Sequence, residues 1–237
     1  MMIRHVIYII TLLLVTSCAR HYNIAGNVVE GALQGETLYL MTHHEAQFTR
    51  RVDSCKIVHG QFTLMGSVDS ITWAKLYLDQ NMVMPLVIEG GEVEVVIDCF
   101  GNRIKGSPLN EKLNRFFEAM SKLQRDWDAI NDPRIQLYMS GSHVPHILAE
   151  LDAREQRLER KMEAVENEFI RDNFENVLGP DMFLLLSEQY SVPVITEQFR
   201  LILDDAPTEF LNHPMIVDYL RRANYKRVRT SSNSDDD

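Results

Sequence analysis

Cysteine is scarce in this sequence, with only three among 237 residues. They are Cys18, Cys55 and Cys99, and no two of them form a C-x-x-C pair. Because a thiol–disulfide enzyme needs a low-pKa thiolate beside a resolving thiol, the sequence argues against redox chemistry of that type. Cys55 and Cys99 are expected to pack as small apolar side chains, with a disulfide between them as the alternative in an exported protein.

A surplus of positive charge is also absent. The chain has 24 Lys and Arg against 34 Asp and Glu, which gives a net charge of −10 at pH 7. Because nucleic-acid binding needs a basic face, no nucleic-acid partner is expected. Beyond the start of the chain, no apolar run approaches the roughly 20 residues of a membrane-spanning helix, so we expect a soluble body.

The most informative segment that is present leads from an apolar run to Leu14-Val15-Thr16-Ser17-Cys18. The run from Val6 to Val15 follows Arg4 and has about half the length of a spanning helix, which is typical of an export signal rather than of a buried core helix. Its end resembles the lipobox of bacterial lipoproteins. That resemblance implies removal of a signal peptide over residues 1–17 and attachment of lipid to the Cys18 thiol. Several acyl chains, at about 0.8 kcal/mol per buried CH₂, would then hold the protein on a membrane of the cell envelope.

The region from Tyr22 to about Ile104 alternates polar and apolar residues and is rich in turn residues. The pattern predicts strands over Tyr22–Val29, Glu36–Met41, Phe48–Val58, Gln61–Val68, Thr72–Leu78, Met84–Ile88 and Glu92–Asp98. His59-Gly60 lies between two of them and predicts a tight hairpin turn. Many short strands with hairpin spacing indicate an antiparallel β-sandwich or open barrel over residues 18–106.

Beyond Gly106-Ser107-Pro108 the period becomes helical, which makes the fold class α+β. Apolar residues recur at steps of three and four, namely Leu113, Phe116, Met120, Leu123, Trp127 and Ile130. Ser107 and Pro108 are expected to cap and begin this helix, and Asn131-Asp132-Pro133 to end it. A second striped helix is predicted from about Val144 to Val177. The two are expected to pair as an antiparallel hairpin, with a dimeric coiled coil as the alternative.

Shorter helices are predicted after Gly179-Pro180, which is expected to end the second long helix. Their ranges are Asp181–Tyr190, Val194–Leu203 and Pro214–Tyr225. The helical region thus covers residues 107–228, and the polar, acidic tail over 229–237 is expected to be disordered.

Candidate metal ligands occur in two places, and neither makes a convincing site. His43-His44-Glu45 is interpreted as a polar loop tip, because adjacent residues of a strand would point to opposite faces. His143, His146 and Glu150 would share the face of a starting helix, but no fourth zinc ligand is evident. We therefore name no catalytic, cofactor-binding or metal-binding residue.

Four short pieces in order resemble one known family. They are Tyr22-Asn23-Ile24-Ala25-Gly26, then Val52-Asp53-Ser54 with His59-Gly60-Gln61-Phe62-Thr63-Leu64-Met65-Gly66, then Leu86-Val87-Ile88-Glu89-Gly90-Gly91, then Ile104-Lys105-Gly106-Ser107 with Asn110. Together they are similar to the family called domain of unknown function 4369, over roughly Tyr22 to Leu123.

The resemblance implies a place in the cell. In that family the module usually stands at the N-terminus of Bacteroidetes envelope lipoproteins, where a helical connector leads into a thioredoxin-like disulfide oxidoreductase domain. Gly179-Pro180 and Pro207-Thr208-Glu209-Phe210, before Asn212-His213-Pro214, resemble that connector. No W-C-x-x-C occurs in this sequence, so the resemblance does not carry the redox activity to it.

The matched residues also have structural explanations. Gly60 suits a hairpin position with positive φ, and Gly90-Gly91 suits a tight reversal between strands. Asp53 and Ser54 are expected to bond nearby backbone where a strand bends.

Three functions from different classes follow. The preferred one is a non-enzymatic, membrane-anchored envelope lipoprotein that binds another protein or scaffolds an assembly. The second is a small-molecule or glycan-binding lipoprotein with an aromatic groove; exposed Trp73, Tyr77 or Phe100 would favour it, although Trp73, like Trp127, is predicted to be a core anchor. The third is a thiol partner of envelope disulfide oxidoreductases through Cys55 and Cys99.

Overall fold

The structure, a computed structural model, describes residues 19–29, 33–45, 48–98, 101–140 and 145–225. The predicted signal peptide, the lipidation residue Cys18, Cys99, Phe100, His143 and the acidic tail lie outside the described residues. The chain divides into two compact units, which we describe separately. Thr49–Arg115 belongs to the first unit together with the chain up to His43; His44–Phe48 and the chain from Phe116 onward form the second.

The first unit contains nearly all residues of two four-stranded sheets. Its strands are β1 (Arg20–Val28), β2 (Thr37–Glu45), β3 (Phe48–Lys56), β4 (Gln61–Val68), β5 (Thr72–Leu78), β6 (Asn81–Ile88), β7 (Gly91–Ile97) and β8 (Arg103–Lys105). One sheet has the order β4-β1-β7-β8 and the other β3-β2-β5-β6. The fold class is α+β, as predicted, and the described strands form an open sandwich rather than a closed barrel.

One strand pair departs from the predicted antiparallel arrangement. β1 pairs with β4 in antiparallel fashion, but β1 and β7 run parallel, with Tyr22 opposite Gly91 and Val28 opposite Ile97. Strand direction was not predictable from the pattern, because inward and outward side chains alternate in the same way in parallel and antiparallel strands.

The turn between β3 and β4 confirms the predicted hairpin. His59 and Gly60 both have positive φ, at 51° and 73°, as a two-residue turn that matches strand twist requires. Val58 and Gln61 close the turn with reciprocal backbone hydrogen bonds of 2.9 and 3.0 Å.

β8 was not predicted, and several strands, β2 and β6 most of all, differ from their predicted extents. β8 has only three residues and was missed because a run of that length carries no measurable period. β6 starts at Asn81, earlier than predicted, and includes Pro85. A proline is tolerated there because β6 is at the edge of its sheet, where a backbone N–H is not always needed.

The helices are α1 (Pro108–Met139), α2 (Pro145–Arg171), α3 (Leu178–Ser187), α4 (Glu197–Asp205), α5 (Thr208–Leu211) and α6 (Pro214–Arg222). Pro108 begins α1, as predicted. The prediction that Asn131-Asp132-Pro133 ends this helix was wrong, since α1 continues through Pro133. The lost backbone hydrogen bond is offset by packing against α2 on both sides of the proline.

That packing is the predicted antiparallel hairpin. Its core consists of Ile130, Leu151 and Leu158, with Leu123, Trp127, Leu137 and Ile147 packed against it. Near the other end of the helix pair, the rings of Phe116 and Phe169 lie 4.6 Å apart. Just beyond Pro133, the Arg134 guanidinium binds Asp152 at 2.8 Å and Glu155 at 2.6 Å across the hairpin.

The prediction that Gly179-Pro180 ends the second long helix was wrong. Both residues lie in the first turn of α3. Proline fits there because its missing N–H would have no partner within the helix. Asparagines lie between α2 and α3. Asn173 Nδ2 donates to the Phe169 carbonyl at the end of α2 at 2.7 Å, and Leu178 N at the start of α3 donates to Asn176 Oδ1 at 2.9 Å.

An aromatic cluster holds the short helices together. The Phe183 ring contacts the rings of Phe199, Phe210 and Tyr219, with centroids 4.8, 6.0 and 5.5 Å away. The Tyr219 hydroxyl donates to the Val194 carbonyl at 2.7 Å. Among the helices of the described residues, none has both the length and the apolar character needed to cross a membrane.

Candidate functional site

The two faces of β2 and β5 differ in chemistry. Leu40 and Leu76 are register partners that face the sandwich core, and both are fully buried. Tyr39, one residue before Leu40, and Tyr77, one residue after Leu76, are register partners on the opposite face, and both are partly exposed. Because side chains alternate along a strand, the same two strands supply core on one side and an aromatic pair on the other.

This aromatic pair lies in an open depression of about 460 Å³. The lining residues are Tyr39, Met41, Arg51, Tyr77, Asp79 and Gln80. The Arg51 guanidinium carbon is 5.9 Å from the centre of the Tyr39 ring, within the range of a cation–π contact. The depression therefore combines aromatic faces and a thioether with one basic and one acidic side chain, and its volume is that of a small-ligand site.

The aromatic residues whose exposure would favour a ligand groove differ in burial. Tyr77 lines the depression, whereas Trp73 is 3% exposed, which confirms it as a core anchor. Tyr39, Met41 and Arg51 were not among the residues predicted for a groove. The signal for Tyr39 and Met41 was present in the alternation of β2, since Leu38, Leu40 and Thr42 are the buried residues of that strand.

Cys55 is a free, half-buried thiol in β3. Burial raises its pKa above the ordinary value of 9.0, with a smaller contribution in the same direction from the Asp53 carboxylate and an opposing hydrogen bond to the Thr63 backbone. A raised pKa disfavours the thiolate, which is the reactive form in redox exchange.

The candidate metal ligands are not brought together among the described residues. The interpretation of His43-His44-Glu45 as a loop tip was wrong, because all three belong to β2. His146 and Glu150 lie four residues apart on α2, so they share a face of that helix, and both are exposed. No cluster of three or more His, Cys, Asp or Glu in the described part of the chain could hold a metal ion.

Asp53 joins the edges of the two sheets. Its Oδ1 accepts from the Ser54 backbone N–H at 2.7 Å, and its Oδ2 accepts from the Met65 N–H at 3.0 Å. β3 and β4 are edge strands of different sheets, so this carboxylate satisfies a backbone donor where the hairpin leaves one sheet for the other. The prediction that Asp53 bonds nearby backbone is confirmed.

Glycine and aromatic residues alternate across β1 and β4. Gly26 is opposite Phe62, and Tyr22 is opposite Gly66. A Cβ on Gly26 would lie 2.6 Å from Phe62 Cε1, and one on Gly66 would lie 2.6 Å from the Tyr22 hydroxyl oxygen. Each ring therefore covers the space above the opposite glycine, an arrangement that fixes strand register.

Asparagine side chains at the start of α1 close strand edges. Asn110 is fully buried; its Oδ1 accepts from Val87 N, and its Nδ2 donates to the Val87 carbonyl, both at 2.8 Å. Its Nδ2 also donates to Ser107 Oγ at 2.8 Å. One helical turn later, Asn114 Oδ1 accepts from Ile104 N at 2.9 Å. In each case an amide replaces the hydrogen bonds that a further strand would make.

With this geometry in place, the comparison with protein families is informative. Residues 22–113 match the family model described as domain of unknown function DUF4369. This part of the chain belongs to the DUF4369 family. A search of the curated proteins found no match to the chain.

Within the DUF4369 domain, the pieces that carry the resemblance build the scaffold. Asp53, Gly60, Gly66 and Asn110 satisfy backbone groups, form a turn or fit strands together. The residues that line the depression lie outside those pieces, at Tyr39, Met41, Arg51, Tyr77, Asp79 and Gln80. The short pieces that carry the resemblance thus account for the scaffold, and the residues of the depression are not among them.

Proposed function

We propose that the protein is a non-enzymatic envelope lipoprotein, tethered to a membrane by lipid on Cys18, whose sandwich acts as a binding module for another envelope protein. The observation that carries the proposal is the segment Leu14-Val15-Thr16-Ser17-Cys18 after a short apolar run. The same lipobox resemblance, together with membership of the DUF4369 family, supports a Bacteroidetes envelope as its location. No acidic cluster follows Cys18 in the sequence, which favours an anchor that faces the periplasm.

The depression supplies a binding surface for this module. Tyrosine and arginine are the residue types that most often dominate protein interfaces, because they offer rigid apolar area together with hydrogen-bonding groups. Tyr39, Tyr77 and Arg51 meet in one place on the first unit. A partner segment with an apolar side chain and a carboxylate would fit the aromatic faces and the guanidinium together.

The lipid anchor is tested by mass spectrometry of the membrane-extracted protein. We expect loss of residues 1–17 and added mass of acyl chains on Cys18. A Cys18→Ser variant should stay uncleaved and unlipidated, whereas Cys55→Ser serves as the matched control and should be processed normally. An intact, unlipidated N-terminus on the native protein would refute the proposal.

The binding surface is tested by crosslinking in the native envelope. We expect the double substitution Tyr39→Ala/Tyr77→Ala to abolish the crosslinked product that the native protein forms. Tyr190→Ala is the control, because Tyr190 is an exposed tyrosine in the second unit. An undiminished product with the double variant would show that the depression is not the contact surface.

A second candidate is glycan binding, which the paired tyrosines favour because sugar rings stack on aromatic faces. It predicts that soluble oligosaccharides bind the purified protein with measurable heat and that Tyr77→Ala removes the signal. If oligosaccharides bind the protein and leave the crosslinked product undiminished, that result would distinguish glycan binding from binding of a protein partner.

A further inference from the structure

We propose that the sandwich stands with one particular end on the membrane, so that the depression opens at the opposite end, away from the lipid. The membrane-facing end consists of the start of β1, the end of β4 and the β6–β7 turn. This inference rests on the lipidation of Cys18 proposed above, and it adds an orientation that lipidation alone does not require.

The argument begins with the length of the tether. A single residue, Ala19, separates Cys18 from Arg20, the first residue of β1. Two residue steps span at most about 7 Å even when fully extended. The polar headgroup layer of one leaflet is itself roughly 5–7 Å thick. Arg20 is therefore held at or just above the headgroups.

The tether cannot lengthen by fraying of β1. Arg20 is already in register with Val68 of β4, and two residues later Tyr22 is in register with Gly91 of β7. The Arg20 guanidinium also donates to the Glu89 carbonyl at 3.2 Å. The strand is thus paired with β4 from its first residue and with β7 from Tyr22 onward, and pulling residues out of it would break ladder hydrogen bonds.

The register places the other strand ends relative to Arg20. β4 ends beside Arg20, and after three intervening residues β5 begins at Thr72, which pairs with Ile88 at the end of β6. All of these termini belong to one end of the sandwich. Its described side chains include Ser67, Asp69 and Ser70, which are exposed and suited to a hydrated headgroup layer.

The depression lies at the other end. Tyr77 and Tyr39 are next to the pair Leu78 and Leu38, and Asp79 and Gln80 form the turn between β5 and β6. β1 rises from Arg20 to Val28, which at about 3.3 Å per residue is about 26 Å. A sandwich that stands on its Arg20 end therefore presents the depression about 25 Å from the headgroups, where a soluble segment of another protein can reach it.

The test uses two positions on one strand. Ser67 and Gln61 are both exposed residues of β4 that share a face, and Ser67 pairs with His21 near the tether while Gln61 pairs with Asn27 at the far end. In a Cys55→Ser/Cys99→Ser background, Ser67→Cys and Gln61→Cys each accept a fluorophore. The lipidated full chain is then placed in phosphatidylethanolamine–phosphatidylglycerol vesicles that contain a lipid with a quencher on its headgroup.

We expect the fluorophore at position 67 to be quenched several-fold more strongly than the one at position 61. Insertion of about twelve Gly and Ser residues between Ala19 and Arg20 gives a tether with a mean span of about 20 Å and should remove most of that difference. Equal quenching with the native tether, or an unchanged difference with the long tether, would overturn the orientation.

Mass spectrometry of the same samples keeps the two proposals apart. A chain that carries no lipid on Cys18 refutes the lipoprotein function and the orientation with it. A lipidated chain with equal quenching at both positions refutes the orientation alone.

Discussion

The two units of this protein satisfy their backbone hydrogen-bonding groups in different ways. In the sandwich, side chains accept hydrogen bonds from backbone N–H groups at the strand edges. Asn110 accepts from Val87, Asn114 from Ile104 and Asp53 from Met65. In the helical unit, each helix satisfies most of its own backbone, and what holds the helices together is an apolar and aromatic core around Phe183. The first unit thus depends on a few polar side chains and the second on ring packing.

This difference between the sandwich and the helical unit predicts which substitutions each unit tolerates. An open sheet has unpaired N–H and C=O groups at its edges, and these are costly when buried and attract other strands when exposed. A helix has such groups only at its ends. Polar-to-apolar changes should therefore be more harmful in the sandwich, and large-to-small apolar changes in the short helices.

The largest effect is expected for Phe183→Ala. Phe183 is fully buried and contacts three other rings, so its truncation should lower the free energy of unfolding by about 4 kcal/mol. Denaturant unfolding followed by Trp127 fluorescence in a Trp73→Phe background reports on the helical unit, because Trp127 belongs to it. Leu201→Ala, at an exposed position on α4, should cost much less. Similar losses for the two variants would contradict the aromatic-core description.

The corresponding change in the sandwich is Asn110→Ala. It leaves the buried N–H and C=O of Val87 without partners, and we expect a loss of about 3 kcal/mol. Trp73 fluorescence in a Trp127→Phe background measures it. Asn110→Asp sharpens the test, because a carboxylate still accepts from Val87 N but no longer donates to the carbonyl, and an intermediate loss is expected. Asn27→Ala, on the exposed face of β1, is the control, and a loss as large as that of Asn110→Ala would refute the edge-closing role.

A smaller effect is expected for Gly26→Ala. The added Cβ would lie 2.6 Å from Phe62 Cε1 and 2.7 Å from the Val95 carbonyl oxygen. The ring can rotate away, but the backbone oxygen cannot, so we expect a loss of about 2 kcal/mol. Ala25→Ser, one residue earlier on the exposed face, should be nearly neutral in the same unfolding assay. Unchanged stability of Gly26→Ala would mean that the glycine–aromatic pairing does not constrain the strands.

The smallest effect concerns a polar contact in the helical unit. Burial raises the pKa of Glu166 above its ordinary value of 4.5, Glu163 adds to the rise, and a hydrogen bond from Gln198 at 2.7 Å opposes it. The folded state therefore holds the proton more tightly than the unfolded state, so the stabilisation is full below about pH 4.5 and is lost as the pH rises through the folded value.

Glu166→Gln should remove this dependence. The unfolding free energies of the native protein and of the variant are measured from pH 4 upward. As the pH rises to 7, the native protein should lose less than about 1 kcal/mol of stability relative to the variant. Glu159→Gln, at an exposed position on the same helix, is the control for removal of one carboxylate. A difference that moves in the opposite direction would contradict the assignment.

Local patterns predicted much of this architecture. The alternation of β4 and β5 located both strands at their observed bounds, and His59-Gly60 located the hairpin turn. Pro108 marked the start of α1, and the apolar stripes of α1 and α2 indicated their pairing. These features depend on residues close in sequence, which is why periodicity and turn chemistry were sufficient.

The errors have a common origin in distant contacts. Pro133 was expected to end α1, but packing and the ion pairs of Arg134 with α2 extend the helix past it. His43-His44-Glu45 was expected to be a loop tip, yet β2 extends through it. Arg51 was not singled out, because its place over the Tyr39 ring depends on how β3 lies beside β2.

The sequence by itself determined the local elements, the family pattern and the segment that motivates a lipid anchor, since each is encoded by neighbouring residues. Tertiary structure alone decided that β1 and β7 run parallel, that Asn110 replaces a strand at the edge of β6, and that Tyr39, Tyr77 and Arg51 share one depression. The physical reason is that strand direction, edge pairing and side-chain convergence depend on which distant segments meet, and no local period records that choice.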